Sequence, residues 1–278
     1  HSWKMNELYR VLETSKQNVH QWIRRQQSRE VHQEQLCELT SHLRVDHPRM
    51  GGKNLYKKIS PGFMGRDRFL GWYRESGFML APKRNFRRTT DSSGVIRFPN
   101  LMANLKLTHV NQAWVSDITY YELNGKFAYL TLIMDAYSRK IRGYQISKTL
   151  RAEDTTIPAL RMALKGLPKG LKPIFHSDGG GQYYCKQFIA LTQKQFQNSM
   201  GKTAYENPKA ERLNRTIKND YLYGYHPTTF KELETKTAKA VRMYNQEKPH
   251  QSLEGLTPDQ FERNQILTKT NFKTVNSI

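Results

Sequence analysis

Residues 172–184 read KPIFHSDGGGQYY, and the interpretation of the whole chain starts from this stretch. Ile174 and Phe175 form a short apolar run that ends at Asp178 and three glycines. The pattern predicts a buried strand with a carboxylate at its C-terminal end, where open α/β sheets place their ligands. Aspartate also commonly starts a turn, so the stretch alone leaves both interpretations of Asp178 open.

Two further acids favour a functional interpretation. Asp117 lies in the segment 113–121, which is rich in β-branched and aromatic residues and is a predicted strand. An acid inside a strand is costly unless it is paired, hydrogen-bonded or bound to a metal. Glu211 follows Asn207 and Pro208, the predicted N-cap and first residue of a helix. Three acids from two strands and a helix suit a pair of Mg²⁺ or Mn²⁺ ions about 3.5–4 Å apart, the arrangement that drives phosphoryl displacement.

The helix that begins at Pro208 is predicted to have two distinct faces. Its core face is made by Ala210, Leu213, Ile217 and Tyr221. Glu211, Arg215 and Lys218 follow one another along another side, at the i, i+4 and i+7 positions. This spacing predicts that Arg215 and Lys218 point the same way as the acid and hold DNA phosphates beside it. The alternative is an exposed helix surface with an ion pair to Glu211.

Three motifs carry a family resemblance. WVSDIT at 114–119, HSDGGGQY at 176–183 and NPKAER at 207–212 resemble the acidic motifs of integrase-core transposases. More narrowly, they resemble the second-frame product of the IS-three family of bacterial insertion sequences. The resemblance implies an α/β fold: a ribonuclease-H-like mixed five-stranded sheet with helices on both faces, preceded by all-α helix-turn-helix modules. It also implies a catalytic and metal-binding role for the three acids, Asp117, Asp178 and Glu211.

The spacing of the acids departs from the family pattern. Asp178 and Glu211 are separated by 32 residues, slightly fewer than is usual in this family. A deletion in the loop before the glutamate accounts for the difference, since loops tolerate length changes. Glu206 would fall before the helix and outside the motif, so Glu211 is the expected third acid.

The composition points to a polyanionic partner. The formal net charge is +21 over 278 residues, and residues 1–110 hold 20 Lys/Arg against 9 Asp/Glu. Basicity is therefore spread along the chain, which favours DNA bound along its length with salt-sensitive affinity. There are only two cysteines, and neither a zinc motif, a signal peptide nor a membrane-length apolar run is visible. We expect a cytoplasmic protein associated with the bacterial nucleoid.

The N-terminal region, residues 1–45, is predicted to be a helix-turn-helix. Ser15 is a good N-cap for a second helix from Lys16 to Arg25 or beyond, with Val19, Trp22 and Ile23 as its core face. The second helix of such a module enters the major groove. The side chains expected to contact DNA are Lys16, Gln17, His20 and Arg24. A helical hairpin without DNA contacts would give a similar pattern.

Three further segments are predicted before the core. A helix over 29–44 should turn Leu36, Leu39 and Leu43 inward as a connecting or pairing helix. Residues 46–80 resemble a second helix-turn-helix, with Arg66 and Arg68 as phosphate contacts. Residues 81–110 are predicted to form a basic linker that tracks the DNA backbone, through Lys83, Arg84, Arg87 and Arg88. Ordinary solvated helix faces and a linker disordered without DNA are the alternatives.

The predicted catalytic core covers residues 111–265, followed by a tail at 266–278. After the Asp117 strand come strands at 127–134 and 141–146, a helix at 152–167 capped near Glu153, the Asp178 strand and a helix at 186–197. Further helices are predicted to about residue 222 and over 229–245, with a last short helix after 256. Asp135 is expected to have a structural role, and His250 to be a capping or core histidine.

Together these features predict a DNA transposase that cleaves and joins strands at the ends of an insertion sequence. Its expected partners are double-stranded DNA, further copies of the chain on paired ends, and an upstream-frame product. A cutting-only nuclease of the same fold and a non-catalytic DNA-binding regulator remain as alternatives. A serine or tyrosine recombinase would need a nucleophile together with an arginine-rich cluster, and no such combination stands out in the sequence.

Overall fold

The computed structural model describes residues 5–11, 13–79, 98–201 and 204–265. Within these ranges no helix is long and apolar enough to cross a membrane. The helices are α1 (Met5–Val11), α2 (Lys16–Asp46), α3 (Gly52–Ile59), α4 (Arg66–Glu75), α5 (Thr156–Leu164), α6 (Lys186–Thr192), α7 (Pro208–Thr216), α8 (Tyr223–Tyr225) and α9 (Phe230–Gln246). A helix over 258–265 follows.

A mixed five-stranded sheet forms the centre of the core. Its strands are β1 (Ala113–Leu123), β2 (Lys126–Asp135), β3 (Ile141–Ser147), β4 (Ile174–Ser177) and β5 (Gln197–Met200). The spatial order is β3-β2-β1-β4-β5. The first three strands form an antiparallel meander, and β4 and β5 join in parallel through helical crossovers. This is the ribonuclease-H-like arrangement that the sequence predicts.

Helices cover both faces of the sheet, because side chains alternate along each strand. On one face Val115, Leu130 and Leu132 pack with residues of α7 and α9. On the other face Trp114 and Ile133 pack with residues of α5 and α6. The strand that carries Asp117 is therefore held between two hydrophobic cores.

The helical region before the core has its own apolar cluster. Leu36 from α2, Leu55 from α3 and Phe69 from α4 are fully buried in it. This region contacts the core through His47, whose ring nitrogens lie 3.3 Å from the hydroxyl of Tyr221 and 3.3 Å from the Glu247 carboxylate. The region 46–80, predicted to resemble a second helix-turn-helix, contains the helices α3 and α4.

The prediction for the N-terminal helices is only partly confirmed. Ser15 caps α2, since its side chain accepts from the Asn18 amide at 3.1 Å. However, α2 does not end near Arg25; it continues for 31 residues to Asp46. The expected core face is wrong, because Trp22 is 60% exposed and Ile23 39% exposed. Val19 is only partly buried, so these three residues do not form the compact core that the sequence predicts.

Three smaller predictions need correction. Leu39 is predicted to point inward but is half exposed, whereas Leu36 is buried. Helix α5 starts at Thr156 after the N-cap Thr155, later than predicted. Helix α6 ends at Thr192, earlier than predicted, and β5 begins at Gln197. The basic residues Lys83, Arg84, Arg87 and Arg88, and the tail at 266–278, lie outside the described residues.

Candidate active site

Asp117 lies in the middle of β1, and both of its carboxylate oxygens are held. The Ile118 amide donates to Oδ1 at 2.8 Å, and the Asn214 side-chain amide donates to Oδ2 at 2.8 Å. Burial raises the pKa of Asp117 to about 7, with contributions from the nearby charges of Asp178 and Glu211. The two other acids are therefore close enough to oppose ionisation of the first.

Asp178 follows β4 directly, at the C-terminal end of that strand. The Gly180 amide donates to its Oδ1 at 3.1 Å, so the carboxylate does start a turn, as one of the two interpretations proposed. A Cβ at Gly180 would lie only 3.0 Å from the same oxygen, which explains a glycine at this position. Burial also raises the pKa of Asp178. The turn and a role in the acid cluster are thus compatible.

Glu211 lies in the first turn of α7 and is exposed. The helix begins at Pro208, as predicted, and the core face of Ala210, Leu213, Ile217 and Tyr221 is confirmed as buried. The position of Glu211 is fixed by α7, because the helix packs against β1 and β2 through that face. The structure therefore brings Asp178 at the end of β4 and Glu211 at the start of α7 close enough to Asp117, in the middle of β1, for their charges to act on it.

The acids are suited to divalent cations, although no three His, Cys, Asp or Glu side chains within the described ranges are close enough together to hold one. Hard cations prefer carboxylate oxygens. The charges of Asp178 and Glu211 disfavour ionisation of Asp117, and a cation would relieve this repulsion. Asn214 Oδ1 is buried beside them without a hydrogen-bond partner among the described residues. The residues present therefore fit a cationic group.

Two asparagines that tie α7 to β1 did not appear in the sequence-based site. Asn207 occupies the predicted N-cap position, but its side chain does not cap the helix; it donates to the Ser116 carbonyl at 2.9 Å. Asn214 holds Asp117 directly. At 100° per residue, Asn214 lies about 60° from Glu211 towards the buried face of α7. A polar residue at that position is the signal that could have revealed it.

Lys218 does not lie where the sequence predicts. Its side chain is only 7% exposed, and its ammonium lies 5.0 Å from the centre of the Tyr120 ring. Nζ donates to the Tyr120 carbonyl at 3.4 Å. The reason is that β1 continues to Leu123, so its second half covers α7's continuation at this point. Arg215 remains exposed, as predicted.

Burial lowers the pKa of Lys218, while the Asp117 charge raises it. Lys218 is therefore an internal counter-charge to the acids instead of an outward phosphate contact. The chain after Thr216 also changes to a π-helix over Ile217–Leu222, which the sequence did not predict. Such π-helical turns are frequent at functional sites.

A second group of cations lies round the outer side of α7. Burial and the charges of Arg139 and Arg212 together lower the pKa of Lys209 to about 8. These residues were not predicted as site residues.

Two residues with expected structural roles have them. Asp135 is fully buried, and its Oδ1 accepts from the Tyr137 and Ser138 amides at 2.9 Å, which fixes the turn after β2. The His250 ring packs edge-on against Tyr244 at 4.7 Å, and burial lowers its pKa to about 3. The prediction of a core histidine is confirmed.

The other DNA contacts predicted from the sequence stay predictions. Lys16, Gln17 and His20 are exposed on the first half of α2. Arg24 and Arg68 line one cavity, although they are far apart in sequence. Arg66 instead forms an exposed ion pair with Asp67 at 2.8 Å.

The sheet order and the position of the acids define a ribonuclease-H-like core. Two family models, each described as an integrase core domain, match residues 108–204 and 192–258. Together these matches cover more than half of the chain. The chain therefore belongs to the integrase core family, and its relatives place it among the IS3-family transposases.

The relatives are insertion-sequence proteins. The chain is 28% identical over 265 residues to the insertion element IS600 uncharacterized 31 kDa protein of Shigella sonnei, covering 90% of this chain and 96% of that protein. It is 28% identical over 171 residues to the putative transposase InsK for IS150, and 29% identical over 160 residues to the transposase InsF for IS3A, both of Escherichia coli K12. The matched regions span 60% and 55% of those two proteins, and 60% and 56% of this chain.

Two solved structures are similar in fold to this chain. One is the HTLV-2 integrase catalytic core domain in complex with magnesium, with a TM-score of 0.45 and 24% identity over 54% of this chain and 95% of that one. The other is a simian T-cell lymphotropic virus intasome, with a TM-score of 0.48 and 17% identity over 76% of this chain and 74% of that one.

Proposed function

We propose that this chain is a DNA transposase that binds insertion-sequence ends and catalyses metal-dependent strand cleavage and strand transfer. The observation that carries the proposal is the coupled group of Asp117, Asp178 and Glu211. Acids that oppose each other's ionisation at the ends of packed elements are costly to the fold, which points to a catalytic purpose. Membership of the integrase core family supports the same function.

The three acids are the proposed ligands of two Mg²⁺ or Mn²⁺ ions. When bound, such ions would activate a water molecule or a DNA 3′-hydroxyl as nucleophile and stabilise the leaving oxygen. The chain's own contribution is to orient the carboxylates. The Ile118 amide and the Asn214 side chain fix Asp117, and the Gly180 amide fixes Asp178. Asn207 keeps α7, and hence Glu211, against β1.

Double-stranded DNA is the proposed substrate, as terminal repeats and as target. Joining two ends in one event needs at least two active sites, so we propose a homo-oligomer on paired ends. A partner from the upstream reading frame is also proposed. Arg215 and the neighbouring cations Lys209 and Arg212 would then hold phosphates on the exposed side of α7.

The proposal is tested with Asp178→Asn and Glu211→Gln in the full chain. Cleavage of a duplex that carries the element's own terminal sequence should fall by about 10²–10³-fold or more, the loss expected when one preorganised charge is removed from a catalytic site. Joining of a pre-cleaved end should fall equally. Binding of the same duplex should stay nearly unchanged, because neither substitution removes a cation.

Glu206→Gln is the matched control. Glu206 is an acid near the same helix whose Oε2 accepts from the Asn100 side chain at 2.8 Å, and glutamine can preserve that contact. The control should cleave at the normal rate. Normal turnover by Asp178→Asn would remove the three-acid site from the proposal. Cleavage without any joining of pre-cleaved ends by the unsubstituted protein would favour the cutting-only nuclease.

A further inference from the structure

A groove with a volume of about 410 Å³ lies between the middle of α2 and the connection from α3 to α4. Arginines line it on both sides. Arg24, Arg25 and Arg29 come from α2, and Arg68 comes from the first turn of α4. The sequence predicted two of these four as separate DNA contacts, but nothing in the sequence indicated that they meet.

The groove is a built feature of the helical region. The last part of α2 packs into the apolar cluster through Leu36, and this contact fixes the direction of the whole helix. One turn earlier, the His32 ring stacks on the Phe63 ring, with 4.1 Å between ring centroids and 9° between ring planes. Both rings line the groove. The stack therefore holds α2 at a fixed separation from the α3–α4 connection.

The charge in the groove is unbalanced. No described Asp or Glu forms an ion pair with any of the four lining arginines. The nearest such pair, Arg66 with Asp67, lies outside the lining. Glu30 and Glu34 also belong to α2 but do not line the groove. Four guanidinium groups that surround one space repel one another, and an anion between them would relieve this repulsion.

The chemistry of the lining favours phosphodiesters. A guanidinium group offers a planar pair of N–H donors that matches two phosphate oxygens, and it remains charged at any working pH. Lys16, His20 and Arg24 are spaced four residues apart, so they form a row along α2 that leads into the groove. A linear polyanion would follow this row, whereas an isolated small anion would need only the groove.

We propose that the groove binds the sugar–phosphate backbone of duplex DNA, an inference that rests on the proposed transposase function. The backbone passes between α2 and α4, and Arg25 and Arg29 contact it together with Arg24 and Arg68. This contact is sequence-independent and fixes the position of the DNA relative to the first half of α2. Any contacts with base edges would come from residues earlier in that helix.

The test measures binding of the full chain to a random-sequence 30-base-pair DNA duplex at several salt concentrations. Arg25→Gln/Arg29→Gln should weaken binding, and the slope of log K against log salt should become shallower by about 0.9 per lost phosphate contact. Arg161→Gln is the control, because Arg161 is exposed on α5 and removes the same charge per substitution. The control should keep the slope of the unsubstituted protein.

Each outcome decides between alternatives. An unchanged slope in the double variant, or an equal change per charge in the Arg161 control, would overturn the groove as the binding site. Tighter binding to duplex RNA than to DNA of the same length would overturn DNA as the occupant. Both arginines are exposed, so the urea unfolding midpoint should not move, and a loss of binding can then be assigned to the groove.

The groove and the proposed catalysis can fail separately. Glu211→Gln should bind the duplex with the normal salt slope and not cleave it. The arginine double variant should need a higher DNA concentration to reach half of its maximal cleavage rate. If cleavage never occurs but the arginines still control the salt slope, the groove stands and the transposase proposal falls.

Discussion

The acid cluster and the first half of α2 show opposite ways of presenting charge. Asp117 lies on a strand packed on both faces, and its oxygens are held by two hydrogen bonds. The arginines in the first half of α2 are exposed to solvent, and no described carboxylate forms an ion pair with them. Burial makes the first site sensitive to proton and cation binding, while exposure makes the second sensitive to salt. A protein that acts on DNA needs both properties, and here different parts of the chain provide them.

The largest expected effect compares the apolar cluster around the last part of α2 with the exposed first half of the same helix. Phe69→Ala should lower the free energy of unfolding by about 3–5 kcal/mol, because Phe69 is fully buried against α2 and a cavity would remain. Trp22→Ala should change it by less than about 0.5 kcal/mol, since Trp22 is 60% exposed. Urea unfolding followed by circular dichroism measures both. A large loss for Trp22→Ala that depends on protein concentration would show that another copy of the chain covers this surface.

The next effect tests whether the pKa of Asp117 is raised in the folded protein. The pKa of Asp117 is about 7 in the folded protein and near 4 when unfolded. Between these values the folded state keeps a proton on Asp117 that the unfolded state has lost, so the contribution of this group to the stability of the metal-free protein falls as pH rises from about 4 to 7. The loss from this group amounts to up to about 4 kcal/mol. His250, whose pKa burial lowers to about 3, contributes in the opposite direction over part of the same range, so the Asp117 contribution is the difference between the profiles of Asp117→Asn and the unsubstituted protein. This difference should increasingly favour the variant as pH rises.

The measurement is urea unfolding at a series of pH values with a chelator present. Asp178 contributes in the same direction as Asp117, since burial raises its pKa as well, and this contribution remains in the variant. Glu234→Gln removes an exposed carboxylate on α9 and is the control, which should leave the profile unchanged. A profile for Asp117→Asn that parallels that of the unsubstituted protein would mean that the pKa of Asp117 is not raised in the folded protein.

The same rule of helical periodicity gave a correct result in α7 and a wrong one in α2. In α7 the apolar residues Ala210, Leu213 and Ile217 are buried as predicted. In α2 the equivalent residues Trp22 and Ile23 are exposed, and Val19 is only partly buried. Periodicity shows which side of a helix is apolar, but only the tertiary arrangement decides whether a partner exists for that side. The acids were predictable because a carboxylate inside or just after an apolar strand is costly unless it serves a purpose.

Features that depend on contacts between distant segments could not be predicted. The role of Asn214 requires knowledge that α7 lies against β1, and the burial of Lys218 requires the length of β1 beyond Asp117. The fifth strand, Gln197–Met200, was assigned in part to the preceding helix because it is short and pairs only with β4. The four arginines of the groove come from segments about 40 residues apart in sequence. Sequence patterns therefore predict single helices and strands well, but they predict poorly which of these elements contact one another.

The smallest expected effect concerns Lys218, a cation that lies buried near the acids instead of exposed like the arginines of α2. The prediction from sequence was an outward phosphate contact, and the structure places the ammonium over Tyr120, near Asp117. A cation there stabilises the ionised form of Asp117, so Lys218→Met should raise the pKa of Asp117 further. The fall in stability of the metal-free protein would then extend to higher pH, by a fraction of a pH unit. The readout is the position of the Asp117 contribution on the pH axis and not the absolute stability, which loss of the buried ammonium also changes.

Arg215→Met is the matched control for this last experiment. Arg215 belongs to the same helix but is exposed, and its removal should leave the pH profile of unfolding in place. The opposite pattern is expected for DNA: Arg215→Met should weaken binding and make its salt dependence shallower by about one phosphate contact. Lys218→Met should leave the salt dependence unchanged. If Lys218→Met instead reduces the salt slope as much as Arg215→Met does, the lysine must leave its buried position when DNA binds, and the sequence-based assignment would be right for the bound state.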